Sequence, residues 1–243
     1  MKLVIFGANG PTGRQVTAQG IAEGHTVTAV TRRPEAFPPS GPRLRVAGAD
    51  VLDPAAVARV VAGQDAVIST LGVPYGRNPV TVYSQGITHI TRAMTEHGVR
   101  RLVCVSSTVL FGVPAPGETF LFRKVLEPLI ARTMGRTVYE DMRRMEEIVR
   151  DGDRRWTVVR PAGLFDTAAV SAYQVGTSRL PGRFTSRADL GNVLLREAVG
   201  DGHVRAFVDV RTTEGAPSLL DVIRKEAFGG RKPTPGEKER ARA

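Results

Sequence analysis

Gly7-Ala8-Asn9-Gly10-Pro11-Thr12-Gly13 is the stretch whose reading decides the fold. Ahead of it stands Lys2-Leu3-Val4-Ile5-Phe6, an apolar run short enough for a buried strand, and behind it Arg14 to Ala22 reads as a helix. Strand, glycine turn and helix in that order open a dinucleotide-binding fold. The chemistry is particular to glycine. One makes a turn that a Cβ blocks, one lets the backbone approach a pyrophosphate, and one lets helix and strand pack closely. The helix N-terminus then offers unpaired N–H groups and the positive end of its dipole to phosphates. Thr12 is placed to cap that helix or to donate to a phosphate oxygen. The spacing is G-x-x-G-x-x-G, and three glycines also suit a purely structural turn. The position directly after the first strand therefore carries the assignment of Gly7, Asn9, Gly10, Pro11, Thr12 and Gly13 to a cofactor.

Working outward, His25 to Val30 is a second strand, followed by Thr31-Arg32-Arg33-Pro34. A carboxylate at this point accepts hydrogen bonds from the adenosine ribose of NAD and repels a 2′-phosphate. A guanidinium forks onto that phosphate instead. Arg32, with Arg33 second, points to NADP(H); the alternative is two loop arginines in an arginine-rich chain. Leu44 to Val46 is a third strand, and Asp53 caps a helix over 54–62 with Pro54 in its first turn. Asp50 and Val51 fall where an adenine edge meets a carboxylate and a backbone amide. Asp65 to Thr70 is a fourth strand, continued by Leu71 and Gly72 along the ribose and nicotinamide. The loop 73–80, with Tyr75 and Arg77, leads into a helix of about 80–97. Arg101 to Val105 is the fifth strand, ending in Ser106-Ser107-Thr108, with Cys104 read as core rather than as a reactive thiol.

Apolar strands alternating with helices predict an α/β protein, a Rossmann-type doubly wound parallel sheet in a single domain over 1–228. Ligands of such sheets collect at the strands' carboxyl ends, where Gly7 to Gly13, Arg32, Asp50, Leu71 to Gly72 and Ser106 to Ser107 all fall. The substrate side is expected from 73–80, 108–140 and 161–185. Residues 113–136 carry an apolar stretch around Phe120 to Ile130. It suits a pocket wall, a homodimer contact, or a helix buried against 138–150. Val138, Met142, Met145, Ile148 and Val149 show helical core spacing. Arg154 to Pro161 reads as a sixth strand, with Pro161 closing over the nicotinamide side. A short strand at 170–176, a helix from Arg187 to about 199, a strand from Val204 to Val210 and a helix at 217–227 follow, and 229–243 reads as a mobile tail.

Composition bounds the function. Hydrophobic residues make up 42% of the 243, and charged residues 24%, as in an ordinary soluble protein. No run approaches the roughly 20 apolar residues of a bilayer span, and no signal peptide opens the chain, so a cytoplasmic protein without a membrane partner is expected. The lone Cys104 excludes an internal disulfide and a cysteine-based metal cluster; no metal is expected. The net charge of +10 comes from 29 arginines and five lysines scattered over the chain, without an aromatic-rich or zinc-finger pattern. No nucleic-acid partner is therefore expected.

In order along the chain, GANGPTG, TVTAVTRRP, GADVLDPAAV, VAGQDAVISTLG, NPVTVYSQG, EHGVRRLVCVSS, SAYQVG and SRADLGNVLLRE resemble the atypical short-chain dehydrogenase/reductases of NmrA-like fold. The nearest likeness is to the biliverdin-IXβ reductase, or flavin reductase, group, over residues 1 to about 112 and about 138 to 210. The resemblance implies phosphate contacts from Gly10, Thr12, Gly13 and Arg32, and adenine contacts from Asp50 and Val51. It places Leu71, Gly72 and Arg77 along the cofactor's middle and Ser106 and Ser107 near the nicotinamide. The chain departs from that pattern in its histidines. None of His25, His89, His97 and His203 matches the substrate-flanking positions, and Met142 stands at one of them. It departs again from the Tyr-x-x-x-Lys pair of standard short-chain reductases. Tyr139 and Arg143 have the spacing, but an arginine cannot relay a proton as lysine does.

These readings imply an NADP(H)-dependent oxidoreductase transferring hydride to a small conjugated acceptor (a flavin, a quinone or an unsaturated carbonyl). Ser107 is the polarising donor, and Tyr139 is a candidate acid whose alternative is an ordinary helix aromatic. Two other classes stay open: an NmrA-like sensor that holds NADP(H) without turnover, and an isomerase or epimerase, for which a Tyr-x-x-x-Lys pair is expected.

Overall fold

A computed structural model describes residues 1–38, 41–76, 78–112, 116 and 135–217. The glycine turn joins β1 (Lys2–Phe6) to α1 (Pro11–Ala22). Then come β2 (Thr26–Thr31), β3 (Leu44–Gly48), α2 (Pro54–Val61), β4 (Ala66–Ser69), α3 (Val82–Glu96) and β5 (Arg101–Val105). The second half holds α4 (Arg136–Asp151), β6 (Arg155–Pro161), β7 (Gly163–Phe165), β8 (Tyr173–Gly176), β9 (Phe184–Ser186), α5 (Arg187–Val199) and β10 (Ala206–Thr212). Short 3-10 turns follow β2, at Pro34–Ala36, and β5, at Thr108–Phe111.

Eight strands form one sheet in the order β3-β2-β1-β4-β5-β6-β10-β8. Every pairing is parallel except β10 with β8, which runs antiparallel at the edge. The strand order reverses between β1 and β4, and such a switch point opens a crevice at the carboxyl ends. Strands covered on both faces have no polar side to show, which is why β1 and β4 read as unbroken apolar runs. Their alternate residues feed two cores. Val4 and Phe6 pack with α2, α3 and α4, and Leu3 and Ile5 with α1 and α5.

The parallel sheet expected from sequence is present, with four differences. Past Pro161 the chain forms a further strand not expected from sequence: β7 pairs in parallel with β9 as a separate two-stranded sheet. The edge strand β8 is antiparallel. The helix expected at 80–97 is Val82–Glu96, and the last strand runs to Thr212. Arg77, nearly all of 113–136, all but the first residue of the helix expected at 217–227, and the tail lie outside the described residues. Among those described, no helix is long and apolar enough to cross a membrane.

Candidate cofactor and catalytic site

Gly7 has φ +75°, and a Cβ there meets the Thr70 carbonyl oxygen at 2.6 Å. A Cβ on Gly13 meets the Gly7 carbonyl oxygen at 2.3 Å and Ala8 Cα at 2.7 Å. The first and third glycines of the motif therefore fold the turn onto β4 and onto itself. Thr12 does not cap α1, because Gly10 is the N-cap residue and no side chain caps the helix. The reason is Pro11, which starts the helix at the residue after Gly10 and carries Thr12 into its first turn. The first helical bond runs from Arg14 N–H to the Gly10 carbonyl, so the amides of Thr12 and Gly13 precede the ladder. They are the N–H groups an anion takes.

Arg14 adds a feature that sequence reasoning missed. Its Nη2 donates to Asn9 Oδ1 at 2.6 Å and its Nε to the Asn9 carbonyl at 3.2 Å, so Asn9 serves the turn by anchoring a guanidinium. That guanidinium lies 5.9 Å from the ring centre of Phe37, just past the 3-10 turn that follows Arg32 and Arg33. The signal was an arginine directly after the last motif glycine. Arg32 and Arg33 are both exposed at the end of β2, and Arg33 N–H is held by the Thr31 hydroxyl at 3.1 Å.

One oxygen of Asp50 accepts the Leu52 N–H at 2.9 Å, which fixes the bend after β3. Val51 is buried, its methyls packed towards Gly86 of α3 and its carbonyl bonded to His89 Nδ1 at 2.9 Å. Val51 therefore serves as a packed wall. Leu71 is half-buried, and Gly72 is exposed with open space where a Cβ would stand. The Val73 N–H donates to the Tyr83 hydroxyl at 3.2 Å, tying this loop to α3; burial pushes the Tyr83 phenol up to about 12.

Ser106 and Ser107 continue β5 past the sheet. Ser106 is buried, its N–H donates to the Val159 carbonyl at 2.8 Å, and its buried hydroxyl has no hydrogen-bond partner among the described residues. Ser107 caps the 3-10 turn: its Oγ accepts the Val109 N–H at 3.3 Å, so its own hydrogen remains to donate. Pro161, the last residue of β6, is buried. Tyr139 faces Tyr75, with hydroxyls 2.9 Å apart and ring centres 6.0 Å apart, while Thr137 Oγ1 donates to the Gly76 carbonyl at 3.3 Å. The loop after β4 is thus strapped to the start of α4. Cys104 is fully buried and its thiol is raised far out of the reactive range by burial, in keeping with a core residue.

The residues present fit a dinucleotide. A turn whose Gly7 and Gly13 leave no room for a Cβ stands beside the first helix amides, arginines flank it, and a buried hydroxyl without a partner among the described residues stands at the end of β5, two strands along the sheet. Residues 7–200 match the NAD(P)H-binding family. The chain belongs to that family. An uncharacterized protein of Mycobacterium tuberculosis is 34% identical over 108 residues, 44% of this chain and 12% of that protein. An uncharacterized chloroplastic protein of Arabidopsis thaliana is 30% identical over 174 residues, 67% of this chain and 59% of that one. The chain thus spans about an eighth of the mycobacterial relative's length. Among solved structures, a short-chain dehydrogenase/reductase of Veillonella parvula in complex with NADP superposes with a TM-score of 0.73 at 18% identity, covering 90% of this chain and 99% of that one. ChuY, an anaerobilin reductase of Escherichia coli O157:H7, gives 0.69 at 19% identity, covering 90% of this chain and all of that one. This member of the NAD(P)H-binding family thus has a Rossmann fold.

Proposed function

We propose that this protein is an NADP(H)-dependent reductase of small conjugated acceptors, such as a flavin, a quinone or an unsaturated carbonyl. The observation that carries the reading is the Ser107 hydroxyl at the carboxyl end of β5, whose oxygen accepts the Val109 N–H and so leaves its hydrogen to donate. NADPH, when bound, supplies the hydride. The chain's part is to hold the cofactor's phosphates at the Thr12 and Gly13 amides and at Arg32, with Arg33 and Arg14 beside it. Asp50, Val51, Leu71, Gly72 and Arg77 are assigned along its adenosine and middle, and Ser106 and Pro161 beside the nicotinamide. Ser107 donates a hydrogen bond to the oxyanion that develops on the acceptor. The proton comes from solvent where that anion is stable, or from the Tyr139 phenol, reloaded from solvent through the exposed Tyr75 hydroxyl. The likeness to NADP-bound and reductase neighbours supports this reading at the level of fold. No nucleic acid, membrane or metal is part of the proposal, which assigns the protein to the cytoplasm.

A second reading, an NADP(H) sensor without turnover, is favoured by one observation: exposed Arg143 stands where a proton-relaying lysine is expected. One experiment separates the two. NADPH is titrated by its fluorescence and then oxidised with FMN, a quinone and an enone in turn. Tight binding with turnover supports the reductase; tight binding without turnover across the panel favours the sensor. Arg32→Ala is expected to weaken NADPH binding roughly tenfold and NADH binding little. Equal losses remove its role at the 2′-phosphate.

A further inference from the structure

We propose that the buried Arg160–Glu146 ion pair is a positioning device: through the face of Phe111 it clamps the 3-10 turn that holds Ser107. The catalytic consequence rests on Ser107 being the donor; the clamp itself does not.

Arg160 of β6 and Glu146 of α4 are both buried, and they pair through two hydrogen bonds, Nε to Oε1 at 2.8 Å and Nη2 to Oε2 at 2.6 Å. Such a pair is a poor source of stability, because desolvating two charges offsets most of their attraction. A pair of packed apolar side chains fills the same space. What an apolar pair cannot do is fix a plane. The forked bond sets the guanidinium plane, and its carbon lies 4.6 Å from the ring centre of Phe111 and 4.2 Å from that of Phe207. Phe207 belongs to β10, the neighbour of β6, so one contact is to the rigid sheet. Phe111 ends the turn Thr108–Phe111, so the other is to the segment whose N-cap is Ser107.

Two amides of that turn report on Ser107: Val109 N–H donates to its Oγ at 3.3 Å and Leu110 N–H to its carbonyl at 3.1 Å. Arg179, from the loop after β8, donates to the Thr108 carbonyl and lies 5.9 Å from the Phe111 ring centre. The turn is thus held from β6 and from that loop. Its root is fixed by the Ser106 N–H bond to Val159, the residue before Arg160. Phe111 and Arg160 reach no substrate in this scheme; they act through Ser107.

The test uses two variants of the full chain. Phe111→Leu removes the aromatic face and leaves the ion pair whole. The double change Glu146→Met with Arg160→Met removes both charges together, since Arg160→Met alone strands a buried carboxylate and threatens folding. Native-state amide exchange is read first. Both variants are expected to lose at least tenfold protection at Val109 and Leu110 while the amides of β5 and β6 keep theirs. Unchanged protection at those two amides in folded variants overturns the clamp. Kinetics are read second. Phe111→Leu is expected to lower kcat about tenfold with NADPH affinity unchanged, and to have no further effect in a Ser107→Ala background. An equal fall in both backgrounds shows that Phe111 does not act through Ser107 and overturns the catalytic consequence. Loosened amides together with full turnover in Ser107→Ala support the clamp and refute Ser107 as donor, so the two failures are distinct.

Discussion

At Gly13 the fold leaves no room for a side chain, because an added Cβ lies 2.3 Å from one backbone atom and 2.7 Å from another. Gly13→Ala must therefore open the turn. Overpacking of this kind costs about 1–3 kcal/mol, or a Tm roughly 2–12 °C lower for a chain of this size. NADPH affinity is expected to fall at least tenfold, because the Thr12 and Gly13 amides move with the turn. Gly10→Ala meets only the Gly7 carbonyl oxygen, at 3.3 Å, and is expected to be far milder on both readouts. Calorimetry and a fluorescence titration of the two variants check the ranking; equal effects sink the argument. Ser107→Ala acts differently. Loss of one preorganised donor typically costs about 10²–10³ in rate, so turnover should fall on that scale with NADPH affinity nearly unchanged. The lost cap on Val109 costs about 1 kcal/mol of stability. Unaltered turnover with the preferred acceptor eliminates Ser107 as the polarising group.

Caps at the element scale show which parts of the fold were legible in the sequence. Asp53 caps α2 by accepting the Ala55 and Ala56 N–H groups, and it was read correctly because cap, Pro54 and helix are neighbours in the chain. Asp141 was not read at all, although it has the same job. It is fully buried on α4, and it accepts the N–H groups of Tyr83 and Ser84 at 2.8 and 3.3 Å and the Ser84 hydroxyl, so it caps α3 from a different element. No spacing rule connects residues 58 apart. Asp189 is a parallel case inside the SRADLGN motif. It accepts the Ser171 N–H at 2.7 Å and the Thr212 hydroxyl, joining the loop before β8 to β10. That motif is therefore structural. Asp141→Asn keeps the shape of the side chain but removes its charge from the α3 N-terminus. It also turns one acceptor into a donor facing donors. A loss of about 1–3 kcal/mol is expected, measured as a lowered urea midpoint with an unchanged slope. A midpoint within error of the parent shows that the Asp141 bonds do not support α3.

For the molecule as a whole, the unbroken apolar strands revealed the sheet and its carboxyl-end crevice, since burial on both faces leaves a mark on every residue. The antiparallel turn of β8 and the small β7–β9 sheet left no such mark, because their pairing depends on partners distant in the chain. The same holds for Arg14, whose importance rests on the nearness of Asn9 and Phe37 rather than on any motif. Stability at alkaline pH offers a global readout of one such tertiary tie. Tyr83 is 2% exposed, and burial raises its phenol from 10.0 to about 12. In the unfolded chain the phenol ionises near its ordinary value, so between pH 10 and 12 the unfolded state holds fewer protons than the native one. Unfolding free energy then falls as pH rises, by roughly 2–3 kcal/mol across that window, and the contribution is fully present below pH 10. Other groups titrate in the same range, and Tyr83→Phe isolates this one. The variant gives up about 1 kcal/mol at pH 8 with the Val73 hydrogen bond, yet is expected to lose roughly 2–3 kcal/mol less than the parent between pH 10 and 12. Urea unfolding followed by the fluorescence of Trp156, the single and buried tryptophan, measures both. Parallel losses in parent and variant mean that the phenol is not shielded in solution, and that the loop after β4 is not held against α3 as the Val73–Tyr83 bond requires.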